Sequence, residues 1–301
     1  MLKTLITGAL KINENQKAEL ENKGLDIIFV QNETEKLEID VSEIEFVICN
    51  SLFMYNDIKR FKKLKYIQVT SAGLDRLPID YINENNIKLF NARGVYSIPM
   101  AEWAILKILE IYKHSREFYQ KQDKKIWEKN REIIELNDKK VAILGFGSIG
   151  NEIAKRLKAF NTNITAVDIV EISNEYIDEC YNISEIEKVL PDKDIIISTL
   201  PLTKDTKGFI NEKKLMLMKD KSIFINLSRG GIVNEKDLIK ILKTEKLLGV
   251  ALDVFETEPL EAKSELWEQK NIIITPHNSF VSENNNKRMY DVLLNNLKKM
   301  K

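Results

Sequence analysis

Histidine and cysteine each occur only twice in this chain and glycine only eleven times, and each scarcity narrows what the protein can be. Two cysteines, Cys49 and Cys180, cannot build a disulfide framework, and they lack the spacing of metal ligands. No run approaches the ~20 apolar residues that a membrane-crossing helix needs, since IIIST and IIITP are only strand-sized. The N-terminal stretch MLKTLITGALKINENQK interrupts its apolar run too soon for a secretory signal. A reduced, cytoplasmic location without membrane attachment is therefore expected. Net charge is also missing, because 46 basic residues balance 46 acidic ones. No global field recruits nucleic acid or an anionic surface, so both are demoted as partners, although a local basic patch would still permit nucleic acid.

What the chain does have is a rhythm of short apolar runs and longer amphipathic stretches. Its 301 residues, 44% hydrophobic and 31% charged, are those of a soluble globular protein, and at about 150 residues per domain they predict two domains. LKTLIT, LDIIFV, EFVICN, KYIQVTS and IKLFNA read as five buried strands. KVAILG, ITAVD, DIIISTL, SIFINLS, LLGVALDVF and NIIITPH form a second series. Runs apolar on both faces and joined by helices predict two α/β domains, each with a parallel sheet. The boundaries expected are 1–93 with 276–301 for the first domain and 94–275 for the second. From Pro99, MAEWAILKILEIYKHSREFYQKQ reads as one helix that includes His114, with Trp103, Leu106 and Leu109 on related faces. A last helix from about Ser279 packs back onto one of the two domains.

Five of the eleven glycines fall in two clusters, Gly145/Gly147/Gly150 and Gly230/Gly231. The first lies in KKVAILGFGSIGNEIAKRL, between a buried strand and an amphipathic helix. A dinucleotide pyrophosphate needs a tight turn, a close backbone approach and a helix N-terminus with free N–H groups. Gly145, Gly147, Ser148, Ile149 and Gly150 supply that combination. Asp168 ends the next strand, 18 residues past Gly150, where a carboxylate accepts from the ribose hydroxyls and repels a 2′-phosphate. Ile169 and Val170 follow, with no arginine to welcome that phosphate, so the expected cofactor is NAD. A ligand-free glycine turn with a strand-capping aspartate is the alternative reading.

With two histidines the search for a proton donor is short. His114 has Lys113 and Arg116 as neighbours and reads as a solvated helix residue, whereas His277 follows IIITP at the end of a buried strand. Arg229 closes SIFINLS and precedes the second glycine pair, and Glu258 follows LDVFET. Singly, each has a structural alternative: a core histidine, an ion-paired arginine, a solvated loop acid.

Together these residues carry a resemblance. INLSRGGIVNEKDLIKIL, GVALDVFETEPL and NIIITPHNSF occur in that order, with TSAGLD, NARGVYSIPMAEWA and STLPLTKDT before them. The sequence resembles the D-isomer-specific 2-hydroxyacid dehydrogenases over essentially its whole length. The resemblance implies two doubly wound parallel-sheet domains, a flavodoxin-like substrate domain and a Rossmann NAD-binding domain. It also implies a reversible hydride transfer between NAD(H) and a 2-keto acid. Arg229 would hold the substrate carboxylate and polarise the keto oxygen, His277 would move the proton, and Glu258 would support the imidazolium. Backbone N–H groups around Ala72 and Gly73 would also hold the carboxylate. Thr199, Pro201, Thr206, Ser228, Arg229, Asp253 and His277 would line the cofactor, with Asp253 near the nicotinamide amide. Leu52 or Phe53 would face the substrate's C3 group, and the neutral stretch from Cys49 to Tyr55 points to a small, unphosphorylated acid. No metal is implied. The long helix, with Trp103, Ile105 and Tyr112, would form a homodimer interface, and a chain ending at Lys301 would be expected to lack a regulatory domain. Two alternatives stay open: a phosphoglycerate-type dehydrogenase lacking that domain, and a non-catalytic NAD-sensing corepressor or scaffold. A formate dehydrogenase would carry glutamine in place of Glu258.

Overall fold

Apolar runs become central strands where helices cover both faces of a sheet. In the computed structural model, which describes residues 1–300, the first five runs form β1 (Leu2–Thr7), β2 (Leu25–Val30), β3 (Phe46–Cys49), β4 (Tyr66–Val69) and β5 (Lys88–Phe90). They pair in parallel in the order β2-β1-β3-β4-β5. One face buries Leu5, Val47 and Ile67; the other buries Ile6, Phe46 and Ile48. The C-terminal helix Asn285–Leu297 lies on the second of these faces through Met289, Tyr290 and Leu293.

The second series gives β6 (Lys140–Leu144), β7 (Asn163–Asp168), β8 (Glu179–Asn182), β9 (Ile195–Ser198), β10 (Ile223–Asn226), β11 (Gly249–Leu252) and β12 (Ile272–Ile274). All pair in parallel, in the order β12-β11-β10-β9-β6-β7-β8. Every residue of β9, β10 and β11 is buried. Strand β8, sequence ECYN, has no apolar run to predict it. It pairs only with β7, at the edge, and leaves its terminal residues exposed.

The chain divides into one unit spanning Met1–Tyr96, joined by the segment from Ser282, and another spanning Ser97–Val281. Both crossings lie a few residues beyond the expected 93/94 and 275/276. Ser97 opens the helix Ser97–Tyr112, which packs on the helix Ser148–Leu157 of the second unit. At the other crossing, Asn278 and Ser279 donate their N–H groups to Asp253 (2.8 and 2.9 Å) and so stay with β11.

The long helix expected from Pro99 is two helices, Ser97–Tyr112 and Ser115–Asp123. His114 breaks it, with φ at +51°, because the chain turns there. Tyr112 is 2% exposed, so it is not available to a second copy. No helix of the described residues is long and apolar enough to cross a membrane.

Candidate active site

Strand order reverses between β6 and β9, and the crevice at the carboxyl ends of such strands is where doubly wound sheets bind ligands. The glycine turn leaves β6 at that point. Gly145 takes φ of +83°, and a Cβ there would lie 3.1 Å from the Thr199–Leu200 backbone. A Cβ on Gly150 would meet the Gly145 oxygen at 2.8 Å and Ile143 Cγ2 at 3.2 Å, so only glycine lets this helix sit so close to the strand. Gly147 has open space on its Cβ side and caps the helix Ser148–Leu157 with no side-chain hydrogen bond. That helix therefore presents uncapped N–H groups at Ser148, Ile149 and Gly150, which suits an anion. Asp168, half-buried at the end of β7, accepts from Phe146 N (2.6 Å) and Ile169 N (2.7 Å). It braces the turn, and each carboxylate oxygen keeps a second lone pair to offer. Thr199 follows β9 and donates its hydroxyl to the Gly145 carbonyl. These features fit a pyrophosphate and an unphosphorylated adenosine ribose.

The candidate catalytic residues follow β10, β11 and β12, three neighbours in one parallel sheet. Arg229 lies three residues past β10, half-buried, with Nη1 donating to the Ser228 carbonyl at 2.9 Å. Gly230 beside it allows a backbone crossing that no other residue would: its Cβ would fall 1.8 Å from the Phe255 carbonyl carbon. That crossing sets the arginine turn against the loop carrying Glu258. In that loop Glu258 Oε1 accepts from Phe255 N at 3.0 Å, and Glu256 and Glu235 exchange backbone N–H to carboxylate bonds of 2.6 and 3.0 Å. Glu235 is raised above the ordinary carboxylate range, first by burial and then by the charges of Glu256 and Glu258.

His277 stands at φ +49° after β12, with its N–H donating to the carbonyls of Asp253 (2.8 Å) and Thr275 (3.0 Å). Its ring packs edge-on against Phe280, with centroids 5.7 Å apart. Nδ1 lies 2.7 Å from Glu258 Oε2. A carboxylate accepts only, so Nδ1 carries the proton of this bond and Nε2 is the ring nitrogen left to exchange protons with a ligand.

Two sequence expectations need correction. Asp253 is 0% exposed, and its oxygens are taken by Thr275 Oγ1 (2.5 Å), Asn278 N and Ser279 N. It holds the loop that bears His277 and has no surface to offer a nicotinamide. Leu52 is also 0% exposed, packed in the core of the first sheet, and cannot face a substrate. Phe53 packs edge-on against Phe61 (5.5 Å) beside the same core. Ser228 is 7% exposed and donates its hydroxyl to Asn226 Oδ1 at 2.7 Å, so its hydroxyl braces the strand end. Pro201 and Thr206 lie in the loop after β9, where Thr206 Oγ1 donates to the Pro201 carbonyl at 2.6 Å. Thr275 and Glu235 were missed, because their roles lie in partners distant along the chain.

In the first unit Ala72 and Gly73 form the turn after β4. Asn91 Nδ2 donates to the Ala72 carbonyl and Ser71 Oγ to the Gly73 carbonyl, each at 2.8 Å. Among the described residues nothing accepts from the N–H groups of Ala72 and Gly73. A carbonyl-anchored turn with two unsatisfied donors is a seat for an anion.

Comparison with known proteins agrees with this geometry. The profile of the D-isomer specific 2-hydroxyacid dehydrogenase NAD binding domain matches residues 105–279. A hydroxypyruvate reductase of Blautia hydrogenotrophica is 28% identical over 92% of this chain and 89% of its own length. A D-3-phosphoglycerate dehydrogenase of Archaeoglobus fulgidus is 33% identical over 73% of this chain but only 42% of its own length. Among solved structures, a D-isomer specific 2-hydroxyacid dehydrogenase family protein from Aeromonas salmonicida is similar over 99% of this chain and 96% of its own, with a TM-score of 0.84 and 28% identity. The chain belongs to the family of D-isomer specific 2-hydroxyacid dehydrogenases.

Proposed function

We propose that this protein catalyses reversible hydride transfer between NAD(H) and a small, unphosphorylated 2-keto or 2-hydroxy acid, giving or taking the D-isomer. The observation that carries this reading is the His277–Glu258 pair at 2.7 Å, set with Arg229 on adjacent strand ends of the sheet that bears the glycine turn. Bound NAD(H) supplies or receives the hydride. Arg229 binds the substrate carboxylate through its planar fork of donors and polarises the keto oxygen. As the carbonyl carbon gains the hydride, His277 Nε2 delivers a proton to the oxygen, so the ketone becomes the alcohol; oxidation runs the same transfers backwards. Glu258 supports the charge that His277 carries as imidazolium and fixes the ring's orientation.

In this reading the first unit is the substrate-binding domain, and its Ala72 and Gly73 N–H groups hold the carboxylate. Thr199, Pro201 and Thr206 border the cofactor. NAD is favoured over NADP by the Asp168 carboxylate, followed by exposed Ile169 and Val170 with no cation. A cytoplasmic location goes with NAD(H) chemistry and two free cysteines.

The test is turnover. Glyoxylate, pyruvate, hydroxypyruvate and 2-ketoisocaproate are mixed with NADH and the fall in NADH absorbance is followed. At least one should be reduced to the D-hydroxy acid. NADH binding with no turnover across the panel would favour a cofactor-sensing role instead.

A homodimer also belongs to this reading. Leu106 is 50% exposed on the helix Ser97–Tyr112, and Ile126 and Trp127, further along the same stretch of chain, are 48% and 99% exposed. Large apolar side chains gathered on one stretch suit a protein interface. Light scattering should give twice the chain mass, and Leu106→Glu with Trp127→Glu should reduce it to one.

A further inference from the structure

The first unit contains a buried carboxylate that the reaction above does not use. Glu33 follows β2, is 8% exposed, and reaches the carboxyl ends of β1 and β3. Its Oε2 accepts from Thr7 Oγ1 (2.6 Å) and Asn50 N (3.0 Å). Its Oε1 accepts from Ser51 N (2.7 Å) and Ser51 Oγ (2.9 Å). Among the described residues no lysine or arginine pairs with it, so neutral donors alone hold the charge. Beside it, Asn50 Oδ1 is shielded from solvent and receives no hydrogen bond. Thr7 ends β1 and Asn50 follows β3, the two strands between which the order of this sheet reverses. The chain has placed its own anion at the point where such a sheet would take a ligand.

This crevice adjoins the Ala72–Gly73 turn. Thr70 N donates to the Cys49 carbonyl at 2.8 Å, so the Asn50–Ser51 turn and the turn after β4 leave neighbouring strands ~4.8 Å apart. A small acid seated by its carboxylate on one turn has its next carbons beside the other.

We propose that Glu33 is a specificity-determining residue. Buried under the turn after β3, its charge acts through space, without touching the ligand, and favours a 2-keto acid whose C3 group is neutral over one with a second negative charge there. The inference rests on the reading that the Ala72 and Gly73 N–H groups hold the substrate carboxylate. A second anion about 6 Å from an uncompensated carboxylate binds roughly ten- to a hundredfold more weakly in a partly desolvated site.

The experiment compares kcat/KM for hydroxypyruvate and 3-phosphohydroxypyruvate, with NADH, in the full-length protein and two variants. Glu33→Gln removes the charge and keeps the shape of the side chain, although its NH2 group then faces one of the two backbone N–H donors, Asn50 N or Ser51 N. Asn50→Lys leaves Glu33 in place and sets a cation beside it, which guards against a folding defect in the first variant. The starting protein should prefer hydroxypyruvate, and each variant should narrow that preference by about tenfold or more. A preference for the phosphorylated acid in the starting protein, or ratios unchanged in both folded variants, would overturn the inference while leaving the activity intact. Loss of all turnover in the starting protein would instead overturn the underlying reading, and this inference with it.

Discussion

The two sheets reverse strand order in the same way, yet their crevices are furnished in opposite fashion. Between β1 and β3 the chain supplies its own anion, Glu33, and satisfies it with four hydrogen bonds from Thr7, Asn50 and Ser51. Between β6 and β9 it supplies chiefly backbone, three glycines and a helix N-terminus with no side-chain cap. Topology makes a crevice in both, but the residues decide whether it is filled from within or left for a ligand. Acceptors gather in the first and donors in the second, so anionic cofactors belong to the second alone.

The largest effect should come from the chemistry carried beside the open crevice. His277→Ala is expected to lower kcat by about 10²–10⁴-fold, while NADH affinity, read by fluorescence titration, stays near normal. Equal losses in both would mean that His277 serves binding, and would erase the distinction between crevice and reacting edge. Next comes Gly150→Val, which pushes the helix away from the strand beside the open crevice. Its Cβ meets the Gly145 oxygen at 2.8 Å, and NADH affinity should fall about a hundredfold, or ~2.7 kcal/mol. Unchanged affinity in that variant would show that the close approach of helix and strand does not shape the cofactor seat.

Coenzyme choice sharpens the same contrast, because Asp168 ends β7 against the glycine turn of the open crevice. Asp168→Ser with Ile169→Arg should shift the ratio of kcat/KM values from NADH toward NADPH by about tenfold or more. Equal use of both coenzymes by the starting protein would contradict the role given to Asp168. The smallest effect concerns Glu235, which braces the Glu258 loop. Burial and its acidic neighbours raise its pKa in the folded state, so folding favours the protonated form. Its stabilising contribution is therefore complete below the ordinary carboxylate range and is lost as pH rises through the raised value. Glu235→Gln mimics that protonated form and should raise the melting temperature by about 2 °C at pH 7, with the gain vanishing in acid. A fall in melting temperature at pH 7 would show that the charged side chain is the better brace.

Eleven of the twelve strands are legible as apolar runs, because buried parallel strands need apolar side chains on both faces. Strand β8 is not, since an edge strand pairs on one side only and ECYN shows neither a run nor an alternation. The helix break at His114 is equally silent: the apolar spacing continues across it, and only the left-handed turn of the backbone separates the two pieces. Leu52 and Asp253 show the same limit from the other direction. Each stands just after a strand, where functional side chains commonly emerge, and each turns inward to the core or to its own loop.

What the sequence by itself determined is therefore the set of local units: strand, glycine turn, uncapped helix, and the ordered motifs bearing Arg229, Glu258 and His277. These are short-range patterns, readable because period and spacing act between residues close along the chain. Only the tertiary structure decided which side chains meet. Strand order laid β10, β11 and β12 side by side and so joined Glu258 to His277 across 19 residues. It carried Glu33 to Asn50 and Ser51, and it closed Asp253 inside the loop of Thr275, Asn278 and Ser279. A buried carboxylate must find donors wherever the fold brings them, and neither composition nor periodicity says where that will be.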